Sequence, residues 1–190
     1  MNYPFKFFNK KSLLKSLLLL PLFSSFLPFH LNPAKANYEF QWDTDSGYKR
    51  LKWHQTRSQK NAKNKIFFFL RPSSRKTGLL SLNIKFPEKL KSSIKTKNVS
   101  LCKVNIGGFD SKTKCLQNIP SDIELDNEKN SVVVIPISPI PSNKDSYAIV
   151  LKMINPQRSG LYQFHSFGKS SGNVPLSSYI GSWTIKIDQL

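Results

Sequence analysis

A chain of 190 residues with 29 Lys and Arg against 11 Asp and Glu is long enough for one core-bearing domain, and its net charge of +18 draws anionic partners. Lys outnumbers Arg 24 to 5, and Asn, Ile, Phe and Ser are plentiful, so AT-rich codon usage explains the charge as readily as selection for binding. Beyond the amino-terminal segment no apolar run is long enough to cross a bilayer, which excludes a later transmembrane helix.

The first 36 residues divide as an export signal does. Lys6, Lys10 and Lys11 form a positive region without an acid, and an apolar stretch runs from Leu17 to Leu20 and on through Leu22, Phe23, Phe26 and Leu27. Ala34 and Ala36 then stand at the two small-residue positions a signal peptidase reads, predicting a cut before Asn37. The alternative is an uncleaved anchor, but a spanning helix needs roughly 20 mostly apolar residues. Here Lys15, Pro21 and Pro28 interrupt a shorter run. No Cys lies near the cut, and Lys10-Lys11 is not a twin-arginine pair, so the general secretory route is expected. Cleavage removes five basic residues and no acid, leaving 154 residues with a charge of about +13.

Residues 37–65 read as N-terminal strands followed by a basic polar loop, and residues 66–190 as the core of the same domain. Ten basic residues and no acid lie between Lys49 and Lys76. Of these, Lys49, Arg50, Lys52, Arg57, Lys60, Lys63 and Lys65 are candidates for an anionic-surface footprint. Trp42 and Trp53, on weakly periodic stretches, are candidates for exposed rings. Residues 54–65 are polar throughout and are expected to form a mobile loop.

Ile66 to Leu70 is a continuous apolar run suited to a strand covered on both faces. Leu80, Leu82, Ile84 and Phe86 alternate with polar residues until Pro87 ends the strand, and one or two helical turns are predicted over Glu88 to Ile94. Val99 to Ile106 and Thr113 to Ile119 then flank Gly107-Gly108-Phe109-Asp110-Ser111, a hairpin pattern. Cys102 and Cys115 are symmetric about that turn, so a regular hairpin places them opposite each other within disulfide reach. Free thiols and half a metal site are the alternatives, although the spacing matches no common zinc motif.

A second hairpin is expected from Ile123 and Leu125 through Asn127-Glu128-Lys129-Asn130 into Val132 to Ile135. Pro136, Pro139 and Pro141 mark an extended connector, a possible sheet-switching segment. Strands follow at Tyr147 to Ile154, Leu161 to Phe167, and a last one with Tyr179, Trp183, Ile185 and Ile187 on one face. Eight or more short strands with almost no helix predict an all-β antiparallel sandwich, immunoglobulin-like or related, with a small β-barrel as the competitor.

Catalytic constellations are missing: there is no G-x-S-x-G, Walker loop, H-E-x-x-H or dinucleotide fingerprint, and no cofactor is expected. His165 reads as a packed or hydrogen-bonded histidine and His54 as an exposed one. Asp122, Glu124 and Asp126 have the spacing of the first three EF-hand ligands. Asn127 replaces the turn Gly, however, and Val133 stands where the bidentate Glu belongs, so a strand with a wet face is the better reading.

Ser159-Gly160-Leu161-Tyr162-Gln163-Phe164-His165-Ser166-Phe167-Gly168, Val174-Pro175 and Tyr179-Ile180-Gly181-Ser182-Trp183-Thr184-Ile185 resemble cyanobacterial exported proteins of domain of unknown function 2808. Asn155-Pro156, Phe86-Pro87 and Leu101-Cys102 also fit, and the resemblance spans roughly residues 66–187. It implies a periplasmic, cell-envelope or thylakoid-lumen setting and no assigned activity. The leading expectation is a non-enzymatic exported sandwich that binds or organises anionic envelope polymer or a lipid surface. A periplasmic or lumenal accessory factor docking on a protein partner is the second, a hydrolase is remote, and nucleic acid ranks below glycan and lipid.

Overall fold

The computed structural model describes residues 47–172 and 175–189. The expected signal, with Ala34 and Ala36, lies outside the described residues, as does Trp42. Ten strands are described: β1 (Trp53–Gln55), β2 (Lys63–Leu70), β3 (Leu79–Lys85), β4 (Val99–Asn105), β5 (Lys114–Ile119), β6 (Ser121–Asp126), β7 (Ser131–Pro136), β8 (Tyr147–Ile154), β9 (Gly160–Ser170) and β10 (Ser177–Ile187). They form two antiparallel sheets of five, ordered β1-β2-β8-β4-β5 and β10-β9-β3-β7-β6. This is the sandwich the strand pattern predicts. The expected helical turns appear as a short 3-10 segment, Glu88–Ser93, after Pro87.

The core lies between the sheets. Trp183 is opposite Phe164 in the β9–β10 register, and Phe68 reaches them from the facing sheet. Its ring centroid is 4.7 Å from Phe164 and 4.9 Å from Trp183. The indole Nε1 donates across the sandwich to the Phe69 carbonyl at 3.3 Å, so this fully buried ring keeps its polar atom satisfied. Ile66 to Leu70 are all buried, as a strand covered on both faces requires. Ile66, Phe68 and Leu70 face the core. Phe67 and Phe69 face outward, where they pack with Cys102, Val104, Ala148 and Val150 as a satellite cluster.

Cys102 and Cys115 are bonded, with Cα atoms 5.7 Å apart. The hairpin that carries them is not regular, however. The β4–β5 register shifts between Lys103 and Val104, so Cys115 stands opposite Val104 and Cys102 opposite Asn118. A bulge leaves Leu116 unpaired, and the disulfide is therefore a diagonal rather than a direct cross-strand bond. A second bulge corrects the reading of the last strand. The register jumps from Tyr179 to Gly181, which turns Tyr179 to the outer face and Ile180 into the core. At Gly181 (φ +151°) a Cβ would lie 2.6 Å from the Lys49 carbonyl oxygen and 2.7 Å from Leu51 Cγ, so only glycine lets the segment before β1 lie there.

The polar stretch 54–65 is not a free loop. The last two residues of β1 and the start of β2 lie within it, and β2 runs across the 65/66 position. Residues 56–62 are tied down by two buried asparagines. Asn64 Nδ2 donates to Asn155 Oδ1 at 2.9 Å, and Asn64 Oδ1 accepts from the Thr56 and Arg57 amides. Asn155 Nδ2 donates to the Gln59 carbonyl at 2.7 Å and the Arg57 carbonyl at 3.2 Å. The backbone of this stretch is thus held by two side-chain amides that supply the partners a strand ladder would otherwise give.

The proline-marked connector does switch sheets, since β7 belongs to one sheet and β8 to the other. On the way Ile140 exchanges two backbone hydrogen bonds with Leu79, each of 2.9 Å. Arg75 fixes the rest. It is only 5 % exposed, donates to the Pro141 and Asp145 carbonyls and lies 4.6 Å from the Tyr147 ring centroid. One cation of the basic stretch is thus a structural clamp.

Asn155→Ala takes away the partner of the Asn64 amide nitrogen and of the Arg57 carbonyl, and the shorter of the two hydrogen bonds to the Gln59 carbonyl. It should cost about 2 kcal/mol in denaturant unfolding and speed amide exchange across residues 56–62; unchanged exchange there would refute the anchoring role. Replacing both cysteines by alanine should cost about 3 kcal/mol. Wild-type protein unfolded with and without reductant should differ by a similar amount, and no difference would contradict the bond.

Candidate functional site: a lysine groove beside the β2–β8 pair

β2 and β8 pair so that Lys65 stands directly opposite Lys152, and Lys63 opposite Ile154. Like charges opposed on one sheet face repel, so this pairing costs stability unless an anion lies between them. Val99 pairs with Leu151, which brings the 3-10 turn Thr96–Asn98 alongside Lys152 and adds Lys95 and Lys97. The result is an open groove of about 650 Å³ lined by these five lysines, with Asn64, Met153 and Ile154 among its other residues and no acid. The Lys65 ammonium also lies 4.8 Å from the Phe67 ring centroid, which steers it along the sheet. Five converging ammonium groups can hold phosphate, sulfate or carboxylate groups as point charges.

The sequence-derived basic residues divide. Lys63 and Lys65 lie in the groove, where Lys95, Lys97 and Lys152 join them from distant parts of the chain. Lys49 and Arg50 run beside β10: Lys49 Nζ donates to the Ser73 carbonyl at 3.3 Å, and Arg50 bridges to Ser182. Lys52 leads into β1, where its carbonyl accepts from the Phe69 amide. Arg57 and Lys60 sit on the anchored 56–62 segment, the Lys60 amide donating to the Asp188 carbonyl at 3.1 Å. None of these five lines the groove. Trp53 is half-buried and packs against the core, so it is not the free ring expected of it. Lys152 was the one legible signal among the missed lysines, a lone cation in an otherwise apolar strand.

A second polar cluster lies on the outer face of the other sheet. His165 Nδ1 is 2.8 Å from Ser182 Oγ, and Tyr179 Oη is 2.6 Å from the same atom. This resembles a nucleophile–base pair in composition, but Ser182 is fully buried and its hydroxyl is out of reach of a substrate. His165 is half-buried and hydrogen-bonded, as its strand position predicts. Burial first, and the charge of Lys85 second, hold its pKa below the ordinary value of 6.5. On the β6–β7 hairpin, Asp126 accepts the Glu128 and Lys129 amides at 3.1 and 2.9 Å and so closes the turn. Among the described residues no group of three His, Cys, Asp or Glu could hold a metal ion.

Two five-stranded antiparallel sheets packed face to face define a β-sandwich, with the basic groove on one of them. The family model described as "Protein of unknown function (DUF2808)" matches residues 40–187, and the chain belongs to that family. A search of curated proteins finds no match to the sequence. Solved structures resemble it distantly. The bacterial hydrophobin BslA is 13% identical (TM-score 0.45), the match covering 75% of this chain and 97% of that one. The collagen-binding domain of a Staphylococcus aureus adhesin is 15% identical (TM-score 0.40), covering 72% and 97%. ACE19, the collagen-binding subdomain of the Enterococcus faecalis surface protein ACE, is 9% identical (TM-score 0.42), covering 73% and 97%.

The lowered His165 pKa has a definite sign. As pH falls below about 6.5 the unfolded chain takes up a proton that the folded chain resists, so stability falls through that window and is restored above it. Denaturant unfolding at pH 5 and pH 7.5 should show the loss, and His165→Gln should flatten it. An unchanged pH profile in that variant would exclude His165 as the cause.

Proposed function

We propose that this chain is an exported, non-enzymatic β-sandwich that holds anionic material of the cell envelope in the lysine groove. The observation that carries this reading is the convergence of Lys63, Lys65, Lys95, Lys97 and Lys152 on a groove without a carboxylate. Codon bias can raise the total charge, but it does not account for five lysines from three separate segments meeting in one place. The shared ligand chemistry is a phosphate, sulfate or carboxylate group, carried by an anionic glycan or by lipid headgroups. Export is supported by the signal pattern of residues 1–36 and by the disulfide, which persists in oxidising compartments. The periplasm, cell envelope or thylakoid lumen of a cyanobacterium is the proposed setting.

A second reading, an accessory factor docked on a protein, draws on the outer face of the other sheet. There the Phe167 ring of β9 and the Tyr179 ring of β10 are 5.6 Å apart, and β9 also carries exposed Leu161. A pull-down from native envelope at two salt concentrations separates the two. Salt-sensitive retention on glycan or lipid supports the groove; one stoichiometric protein held at both salts supports the second.

Lys63→Glu, Lys65→Glu and Lys152→Glu combined should weaken retention on an immobilised anionic polysaccharide or on anionic vesicles by at least about a hundredfold at low salt, on the order of 1 kcal/mol per charge. The matched change at Lys49, Arg50 and Lys52 should have much less effect. Equal losses from both sets would show that total charge, not the groove, is what binds.

A further inference from the structure

The loop between β4 and β5 presents an aromatic side chain it has no means of hiding. Phe109 is 105% exposed at the loop tip. The loop beneath it is tightly folded: the Gly107 amide donates to Thr113 Oγ1 and the Gly108 amide to the Ser111 carbonyl, both at 3.0 Å. A Cβ at Gly107 would lie 2.4 Å from the Ser111 carbonyl oxygen, so the two arms meet there as closely as backbone allows. Below that crossing, Ile106 packs on the satellite cluster and the Cys102–Cys115 bond ties the arms together. A loop held in this way carries Phe109 outward on a fixed stalk.

A single exposed apolar side chain is ordinary on a protein surface. What distinguishes Phe109 is its surroundings. Lys112 is exposed on the same loop, with Asp110 as its one acid, and Lys114 is exposed where β5 begins. His54 and Thr56 line a hollow of about 500 Å³ beneath the loop, and Thr56 also lines the lysine groove. The aromatic tip and six lysines, Lys112 and the five of the groove, therefore occupy adjoining surfaces.

We infer that this face docks on an anionic lipid bilayer, the lysines on the headgroups and Phe109 in the layer just beneath them. The inference rests on the anion-binding reading of the groove and names its partner. A polysaccharide lying in the groove has no use for Phe109, because no aromatic ring lines the groove to stack on a sugar, and Phe109 stands outside it. A bilayer uses both, since it offers negative charge at the surface and an apolar layer below.

The test takes protein recovered from the exported fraction of an expressing host, as wild type, Phe109→Ser and Lys63→Glu/Lys65→Glu. Each is measured for binding to vesicles of phosphatidylglycerol in phosphatidylcholine, to phosphatidylcholine vesicles and to immobilised alginate. The expected result is wild-type binding to the anionic vesicles, weakened roughly tenfold by Phe109→Ser, while its alginate binding stays at the wild-type level. The lysine variant should lose both. Phe109→Trp should add blue-shifted emission with anionic vesicles that brominated lipid quenches. If Phe109→Ser binds vesicles as wild type does, or the added tryptophan stays unquenched, the lipid assignment is overturned. Wild-type binding to alginate but not to vesicles overturns it too, yet leaves the anion-binding groove standing. Failure on both ligands overturns both readings.

Discussion

The contact on which this fold depends is the cross-sandwich meeting of Trp183 with Phe68 and Phe164. Those three rings fill the space between the sheets, and the indole donates to the Phe69 carbonyl on the opposite one. Dispersion and hydrophobic burial would tolerate many relative positions of two apolar faces, whereas a buried N–H with one acceptor does not. This hydrogen bond therefore sets where β10 lies over β2. With β2 placed, its outward residues follow: Lys63 and Lys65 beside β8, and Phe67 and Phe69 under the satellite cluster. The groove is a downstream consequence of a core contact.

Strand identity was legible where alternation or an unbroken apolar run set it. Tyr147–Ile154 is a strand over the residues its pattern marks, and Lys63–Leu70 contains the run Ile66 to Leu70. Alternation failed at bulges, since one extra residue reverses every side chain beyond it. For that reason alternation alone puts Tyr179 on the face of Trp183 and the cysteines directly opposite each other, where the bulges do not. Composition failed at residues 54–65, where polarity looked like freedom. Asn64 and Asn155, 91 residues apart, turn that segment into ordered structure, and no local window contains both.

The candidate site shows the same division. Clustering along the sequence singled out seven cations, but contiguity in the chain is not contiguity in space. Only Lys63 and Lys65 lie in the groove, because it is built across the β2–β8 ladder and the turns before β4. Lys152 enters through a register that depends on which strands are neighbours. The order β1-β2-β8-β4-β5 places β8 between strands far from it in sequence, so sheet topology had to be known first.

The residues around β1 have a consequence for how the molecule comes to exist. Leu51 and Lys49 exchange backbone hydrogen bonds with Ser182, and Ser58 and Lys60 do so with Asp188. The opening strand region is thus clasped by the closing one. A chain delivered amino terminus first, as from a ribosome, cannot finish the edge of the sandwich where β1 and β10 lie until its last strand has emerged. Such non-local pairing makes folding slow by construction. The residues around β1 therefore wait for β10, and this edge of the sandwich is the last to close.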